Sequence, residues 1–499
     1  MKRRTSSSLL RALALAMGLA AVSAFGSLPQ VAPAPAPAAM ARVDLGEKLA
    51  AFYRDRDFRP LWVEGQRLRP EARQVLAMVL GTSWDNPELR AAVSAAGDGD
   101  PRRLTRADLL LTRAYAGFVR DHQRPPQHSE IRYIDAGLAP AERDLRSIVE
   151  ALVTAPSMAR RIEAEERINP PLDGLQRGLA AYRAAWSRLP QLRLPPQPSA
   201  AALRRRLGLR AEAPQAALAE RVRAFQRVHG LPLTAAADAA TIAALNLGAG
   251  HYERLILANI ERARAIPAAP GRRYILVDAA SARLWMIEDG RIAGSMRVVV
   301  GKRAMPTPAM AGLIRYAVLN PYWNLPPDLI RERARKALSR GAGAIHAERL
   351  QILSDWGPRP RELDARQVDW RAVAAGRRYV NLRQRPGPRN MMGAVKFMMP
   401  NDVGVYLHDT PHRDLLRRQD RHLSSGCVRL EDAPRLARWL FGGRPPPPSG
   451  APEQRVDLPE AVPVYIAYFT ALPTREGVVF QPDPYGRDRP LLAALATTG

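Results

Sequence analysis

The chain has 499 residues, one cysteine and a formal net charge of +27. A single cysteine excludes an intramolecular disulfide, and this length predicts several domains. Its basic residues, nearly all arginine, are spread along the whole chain, unlike the clustered basic surface typical of nucleic-acid-binding proteins. The charge suits an anionic polymer or a membrane surface, or it reflects a general preference for arginine over lysine.

The N-terminus has the organisation of an export signal. Met1–Arg11 is basic, Ala12–Phe25 is apolar, and Val22-Ser23-Ala24 supplies small residues for cleavage. The apolar run is shorter than a membrane span requires. Alternating alanine and proline over Ala32–Ala39 predicts a stiff linker, and Ala39-Met40-Ala41 offers a second cleavage site. We predict export with residues 1–41 as signal and linker, and an uncleaved membrane anchor is the alternative.

Helices are predicted over residues 43–193. Leu45, Leu49 and Phe52 fall at helical spacing, and apolar residues recur in the same way through RADLLLTRAYAGFVRDH. Such stripes are usually core. We therefore place no chemistry in this region.

A second helical region begins after the proline-rich stretch Leu194–Ser199. Three short helical segments with a break at Gly230 predict a compact module over residues 194–248. Phe225 and His229 within it belong either to its core or to a ligand groove.

Strands are predicted from Arg272 onward. The first three alternate with turns, and Asp289-Gly290 is the hairpin turn between two of them. A charged, helical insertion is predicted at about 321–387. The sequence thus predicts a predominantly β domain over residues 272–441 and a C-terminal extension over residues 442–499.

The cysteine shares one segment with a histidine. Val403–Leu407 predicts a strand, and turn residues follow His408. A thiol becomes a strong nucleophile as a thiolate, which a neighbouring imidazole or cation favours, and His408 and Arg429 are such neighbours of Cys427. Taken alone, a single cysteine is more often a small buried hydrophobe.

The residues YLHDTP followed by SSGCVRLED resemble the signature of the L,D-transpeptidases. Three further segments resemble the large periplasmic YcbB-type branch of that family in the same order: LNPYWNLPPDLI at the start of its capping insertion, NLRQRPGPRNMMGAVKFMMPND before the histidine, and FQPDPYGRD near the C-terminus. Residues 43–193 resemble its scaffold domain. Residues 194–248 resemble a peptidoglycan-binding module, with Thr234, Ala235 and Asp238 where that family usually has Asp-Gly and a later Gly.

The resemblance implies a multidomain α+β protein: a helical scaffold, a three-helix peptidoglycan-binding module, and a predominantly β catalytic domain with a helical lid insertion. It also implies acyl transfer in the periplasm. His408 takes the proton of Cys427, whose thiolate attacks a tetrapeptide stem of peptidoglycan and releases D-Ala. The amine of a second stem then captures the thioester and gives a 3→3 crosslink.

Roles for the neighbouring residues follow from the same resemblance. Asp409 orients His408 through its carbonyl, the backbone of Gly426 contributes to an oxyanion hole, and Arg429 positions a substrate carboxylate or the loop. Residues predicted to contact substrate are Tyr406, Ser424, Ser425, Tyr322 and Trp323. Because Ser425 stands where many relatives have a second histidine, His408 is the only base predicted.

The predicted partners are the donor and acceptor stem peptides of peptidoglycan, and carbapenems are expected to form an adduct at Cys427. The sequence shows neither a metal-ligand cluster nor a nucleotide loop, so no cofactor is predicted. Two alternatives stay open. One is an L,D-carboxypeptidase or cysteine peptidase that uses water as acceptor, and the other is a non-catalytic wall-binding scaffold.

Overall fold

The computed structural model describes residues 43–268, 270–445, 447 and 449–498, so the predicted signal and linker lie outside the described residues. The predicted multidomain α+β fold class is confirmed, with helices before residue 264 and a β-rich domain after it. Two compact units divide the described chain. Residues up to 117 together with 149–154 form the first unit, and residues 118–148 together with those from 155 onward form the second.

The helices are α1 Gly46–Asp55, α2 Glu71–Val79, α3 Pro87–Ala95, α4 Pro101–His122, α5 Leu145–Val153, α6 Met158–Glu166, α7 Pro170–Tyr182, α8 Ala200–Arg206, α9 Gln215–Val228, α10 Ala239–Leu247, α11 Ala249–Arg264, α12 Pro327–Arg340, α13 Gly343–Ala347, α14 Trp370–Ala374, α15 Ala433–Leu440 and α16 Asp488–Thr498. The strands are β1 Val63–Glu64, β2 Arg67–Leu68, β3 Arg132–Tyr133, β4 Arg273–Asp278, β5 Arg283–Glu288, β6 Arg291–Gly301, β7 Met310–Leu319, β8 Trp323–Asn324, β9 Leu350–Leu353, β10 Glu362–Leu363, β11 Asn381–Gln384, β12 Val395–Met398, β13 Leu407–His408, β14 His422–Ser424, β15 Val428–Leu430, β16 Gln454–Ala467, β17 Ala471–Thr474 and β18 Gly477–Phe480.

The first unit is organised by a buried carboxylate in α4. Asp108 accepts hydrogen bonds from the N–H groups of Leu61 and Trp62 at 2.7 and 2.6 Å, and from the Tyr53 hydroxyl at 2.6 Å. Burial raises the pKa of Asp108 to about 6, and these donors oppose the rise. Because every carboxylate contact is to the surrounding chain, this network ties the unit together and is not a ligand site.

The second unit contains a closed β-barrel. Neighbouring strands pair in the order β7, β12, β13, β15, β6, β5, β4 and β16, and β16 pairs back onto β7. The barrel interior is apolar and includes Val298, Phe397, Leu407 and Val428. β14 pairs with β6, and β3 pairs with β7. Closure pairs strand edges that would otherwise be exposed.

The predicted hairpin at Asp289-Gly290 is confirmed. β5 and β6 are antiparallel, with Glu288 opposite Arg291. Both turn residues have left-handed backbone, with φ of 49° and 71°. This conformation gives the turn a twist that matches that of the strands.

The barrel continues past residue 441, where the sequence analysis places the end of the catalytic domain. β16 lies between β4 and β7, and its Val464 and Ile466 are fully buried in the barrel core. Residues 442–499 therefore supply a central strand and are not only an extension.

The insertion is partly β, whereas the sequence analysis predicted it to be helical. A four-stranded antiparallel sheet in the order β10, β9, β11, β8 shares one core with α12, α13 and α14. This core is distinct from that of the barrel. The strands have two to four residues each, too few to give a periodic signal in the sequence.

The helical module shares its core with the rest of the second unit. His229 stacks on Phe225 with ring centroids 3.7 Å apart, and its Nε2 lies 3.1 Å from the Tyr182 hydroxyl. Burial lowers the pKa of His229 to about 3. Phe480 of β18 packs on the same ring at 5.5 Å. His229 and Phe225 are therefore core residues, and the module boundary at 194–248 stays a prediction.

Ala235 stands where the module family usually has glycine, and its backbone is left-handed with φ of 57°. The buried Gln226 holds this turn by accepting from the Ala235 N–H at 2.9 Å. We expect Ala235→Gly to raise the local free energy of unfolding by about 0.5 to 1 kcal/mol, because glycine adopts this conformation without a Cβ penalty. Hydrogen exchange in α9 and α10 measures the change. Ala236→Gly, at a residue without positive φ, is the control, and equal protection in both variants would contradict the prediction.

Candidate active site

Three neighbouring strands place polar side chains on one face of the barrel wall. β13 lies between β12 and β15, with Lys396 opposite His408 on one side and Arg429 beside it on the other. Leu407 and Val428 belong to the barrel core. Because side chains alternate along a strand, the row of Lys396, His408 and Arg429 faces away from that core.

Cys427 directly precedes β15, beside the start of β13. The N–H of Val428 donates to the carbonyl of Tyr406 at 3.1 Å. The Cys427 Sγ lies 3.5 Å from the carbonyl oxygen of Gly404. The structure thus places Cys427, just before β15, and Arg429 within β15, next to His408 of β13.

The strand before His408 is shorter than the predicted Val403–Leu407. The side chain of Asn401 accepts from the N–H of Val405 at 3.0 Å and donates to its carbonyl at 2.7 Å, and Gly404 has φ of 68°. These contacts close the segment into a turn. The turn places the Gly404 carbonyl beside the thiol.

His408 is held in a defined tautomer. Its Nδ1 lies 2.5 Å from the carbonyl oxygen of Asp409, and the residue is 1% exposed. With Nδ1 donating, Nε2 carries the lone pair that can accept a proton. Burial and the charges of Arg429 and Lys396 lower the pKa of His408 to about 3, while the hydrogen bond to Asp409 opposes them. The imidazole is therefore neutral at neutral pH.

The side chain of Asp409 fixes the loop that holds the imidazole. One carboxylate oxygen lies 2.5 Å from the Arg413 guanidinium, and the other accepts from the N–H of Ala394 at 2.9 Å. A Cβ on Gly393 would come within 2.4 Å of that second oxygen, so only glycine fits. Asp409 thus anchors the loop by its side chain and His408 by its carbonyl.

Ser424 ties together the turn before Cys427. Its buried hydroxyl donates to the Cys427 carbonyl at 2.7 Å and accepts from the Gly426 N–H at 3.1 Å. The Gly426 donor is therefore engaged within the protein, which differs from its predicted place in an oxyanion hole. The N–H of Cys427 has no acceptor among the described residues. Ser424 shapes the turn instead of presenting its hydroxyl to a substrate, and Ser425 beside it is half-buried.

Thr307 is a positioning residue that the sequence analysis missed. Its buried hydroxyl donates to the Gly426 carbonyl at 2.8 Å and accepts from the Gly301 N–H at 2.8 Å. It therefore holds the cysteine turn against the end of β6. The only feature of the sequence that could have indicated this role is the single threonine between Pro306 and Pro308.

An ion pair between a buried lysine and an exposed glutamate, also missed, lies beside His408. Lys396 is 8% exposed, and its Nζ lies 2.6 Å from Glu453, whose other oxygen accepts from the N–H of Tyr322 at 2.7 Å. Burial raises the pKa of Tyr406, and the charges of Cys427 and Glu453 add to the rise. Lys396 interrupts an otherwise apolar strand, and this charged residue could have indicated an ion pair from the sequence alone.

Arg429 has no carboxylate within 4.0 Å among the described residues, and its buried Nε lacks a hydrogen-bond partner there. Burial lowers the pKa of this guanidinium, and the charge of Cys427 opposes the shift. A half-buried cation that has no carboxylate partner among the described residues is costly. Arg429 is therefore suited to bind a carboxylate from a ligand.

The predicted aromatic contacts differ in their surroundings. Tyr406 packs on the insertion core with its ring centroid 6.0 Å from that of His408. The Arg383 guanidinium lies 4.0 Å from the ring centroid of Tyr322. Trp323 is buried in the insertion core. Tyr406 therefore links the insertion to the site, whereas Trp323 mainly packs the insertion.

Alkylation tests the state of the thiol. Burial raises the pKa of Cys427, while a backbone hydrogen bond with Tyr406 and the charge of Arg429 oppose the rise. With a neutral His408, the resting pair is thiol and imidazole. We therefore expect the rate of iodoacetamide alkylation to rise about tenfold per pH unit from neutral pH upward, as the thiolate fraction does. A rate independent of pH around neutrality would instead indicate a preformed thiolate–imidazolium pair.

Neither a metal cluster nor a spanning helix occurs in the part of the chain that the structure describes. No group of three or more His, Cys, Asp or Glu side chains there could hold a metal ion. No helix there is both long and apolar enough to cross a membrane. The reactive groups that the site brings together are the thiol, the imidazole and the unpaired guanidinium.

The fold and the site define a β-barrel domain with a cysteine and a histidine on adjacent strands and a folded insertion. Residues 272–463 match the YkuD family, described as the L,D-transpeptidase catalytic domain, and residues 47–179 match the scaffold domain family. The chain therefore contains an L,D-transpeptidase catalytic domain preceded by a scaffold domain, which confirms the predicted resemblance.

Named relatives are similar over part of the chain. A Haemophilus influenzae protein, named as a candidate L,D-transpeptidase, is 33% identical over 243 residues, which cover 46% of this chain and 47% of that protein. The chain thus spans about half the length of this relative. A structure of an L,D-transpeptidase from Mycobacterium smegmatis is 15% identical with a TM-score of 0.20, covering 39% of this chain and 58% of the other. The avibactam carbamoyl enzyme of Ldtfm is 16% identical with a TM-score of 0.19, covering 40% and 51%.

Proposed function

We propose that the protein is a periplasmic L,D-transpeptidase that forms 3→3 crosslinks between peptidoglycan stem peptides through a thioester at Cys427. The observation that carries the proposal is the placement of Cys427, a neutral His408 and the unpaired Arg429 on adjacent strands. The match to the catalytic domain family supports the reaction class. The export signal predicted from the sequence supports the compartment.

The first half-reaction acylates the enzyme. Nε2 of His408 takes the thiol proton, and the Cys427 sulfur attacks the carbonyl that precedes the terminal D-Ala of a tetrapeptide stem. The free N–H of Cys427 donates to the oxyanion of the tetrahedral intermediate. His408 returns the proton to the departing amine of D-Ala, and a thioester remains.

The second half-reaction forms the crosslink. The side-chain amine of a second stem loses a proton to His408 and attacks the thioester carbonyl. The new amide bond forms, the Cys427 thiolate leaves, and His408 reprotonates it.

Arg429 couples recognition to this chemistry. Its positive charge lowers the pKa of His408. A substrate carboxylate bound to Arg429 offsets that charge and therefore makes the imidazole a stronger base. The charge of Arg429 also lowers the pKa of the Cys427 thiol, so a bound carboxylate raises the pKa of both groups.

Product analysis by mass spectrometry tests the proposal. The parent protein incubated with disaccharide tetrapeptide should release D-Ala and form crosslinked dimer, whereas Cys427→Ala and His408→Ala should not. Tripeptide without dimer would indicate a carboxypeptidase that uses water as acceptor. Neither product nor thioester from the folded parent would overturn the proposal in favour of a binding scaffold.

A further inference from the structure

A cavity of about 580 Å³ lies between the insertion and the loop that follows His408. Its walls include Arg333 and Arg349 of the insertion, Arg389 of the next loop, and His412. This volume is typical of sites that enclose a small molecule or part of a peptide. A ligand bound in this cavity would contact the loop that follows His408.

The cavity wall carries three guanidinium groups and one carboxylate. Arg333 is paired with that carboxylate, Glu348, at 3.0 Å. Arg349 donates to the carbonyl of Pro386 at 2.9 Å. Neither Arg349 nor Arg389 has a carboxylate within 4.0 Å among the described residues. Two cations of the wall are therefore left to bind an anion.

The backbone around these arginines is fixed. Arg349 has φ of 56°, an unfavourable value for a residue with a Cβ, and a Cβ on Gly387 would come within 3.3 Å of its guanidinium. The buried side chain of Gln384 accepts from the N–H of Met391 at 2.9 Å and donates to the carbonyl of Glu348 at 3.0 Å. The strained backbone of Arg349 and the buried amide of Gln384 show that the fold maintains one defined geometry here. Such strained positions are common at ligand sites.

We propose that this cavity is a carboxylate-binding subsite for the acceptor stem peptide. Arg349 and Arg389 hold free carboxylates of the acceptor while its amine approaches the thioester, so the inference rests on the proposed function. Guanidinium–carboxylate pairs are charge-assisted and fix orientation as well as affinity. Arg429, in β15 next to Cys427, then remains to bind the donor stem, so separate cations hold the two stems.

The dependence of crosslinking on acceptor concentration separates this subsite from donor chemistry. At saturating donor, we expect Arg349→Gln and Arg389→Gln each to raise the acceptor KM about tenfold, as for loss of one charge-assisted contact, with thioester formation unchanged. Arg389→Lys should recover part of the loss. Arg385→Gln, which removes an exposed arginine of the same loop paired with Glu362 at 2.9 Å, should leave both quantities unchanged.

An acceptor with its carboxylates converted to amides gives an independent readout. The parent should bind the amide acceptor more weakly than the carboxylate acceptor. This loss of affinity should equal the loss that the double variant Arg349→Gln/Arg389→Gln shows for the carboxylate acceptor. The double variant should bind both acceptors with equal affinity. Discrimination retained by the double variant, or an equal loss of thioester formation, would overturn the inference. A parent that forms neither thioester nor dimer would refute the proposed function itself, which is a different result.

Discussion

Alanine at His408 is expected to slow acylation of Cys427 by a carbapenem about 10²- to 10⁴-fold at neutral pH, the usual contribution of a general base. The reason is the resting state of the pair. Burial raises the pKa of the thiol, so few molecules carry a thiolate without a proton acceptor. The rate is measured by intact-protein mass spectrometry over time, as the gain of the drug's mass.

Two further variants make this result specific. Cys427→Ala should gain no drug mass at any time, and a Cys427→Ala protein that did would contradict the assignment of the nucleophile. His346→Ala, which removes an exposed histidine of the insertion, should acylate like the parent. If His408→Ala acylated at the parental rate, the thiolate would have to form without this imidazole.

The proximity of Cys427 and His408 could be predicted from the sequence because both residues lie in one short segment. Strands that follow each other in sequence tend to lie together. The contacts of Thr307 and Glu453 could not be predicted in the same way. Thr307 meets Gly426, and Glu453 meets Lys396, only after the barrel closes. Closure requires β16, which the sequence analysis placed outside the catalytic domain.

Local hydrogen bonds changed two other predictions. The glycine before Cys427 suggested a free backbone donor at Gly426, yet the Ser424 hydroxyl accepts from it. Similarly, the β-branched and aromatic residues of Val403–Leu407 predicted a strand, yet the Asn401 side chain binds the backbone of Val405 and closes a turn. In both places a short polar side chain competes with the regular backbone pattern.

The ion pair beside His408 leads to the second large effect. Glu453→Gln is expected to lower the free energy of unfolding by about 2 kcal/mol, because it leaves the Lys396 ammonium buried without a counter-ion. The full cost of a broken buried pair is higher, but the Glu453 side chain is 39% exposed and solvent screens part of the interaction. Lys396→Met should cost less, since the remaining carboxylate reaches water. Denaturant unfolding of the two variants measures this asymmetry.

The double variant Lys396→Met/Glu453→Gln decides between a charge effect and a packing effect. If the uncompensated charge is the cause, the double variant should be more stable than Glu453→Gln alone, and equal or lower stability would contradict that cause. Lys396→Met also removes one of the charges that lower the pKa of His408. We therefore expect the histidine pKa, measured by NMR, to rise in Lys396→Met. Because a stronger base accepts the thiol proton more readily, the same substitution should speed acylation of Cys427 while it lowers the stability of the protein. The ion pair therefore stabilises the barrel at some cost to the basicity of His408.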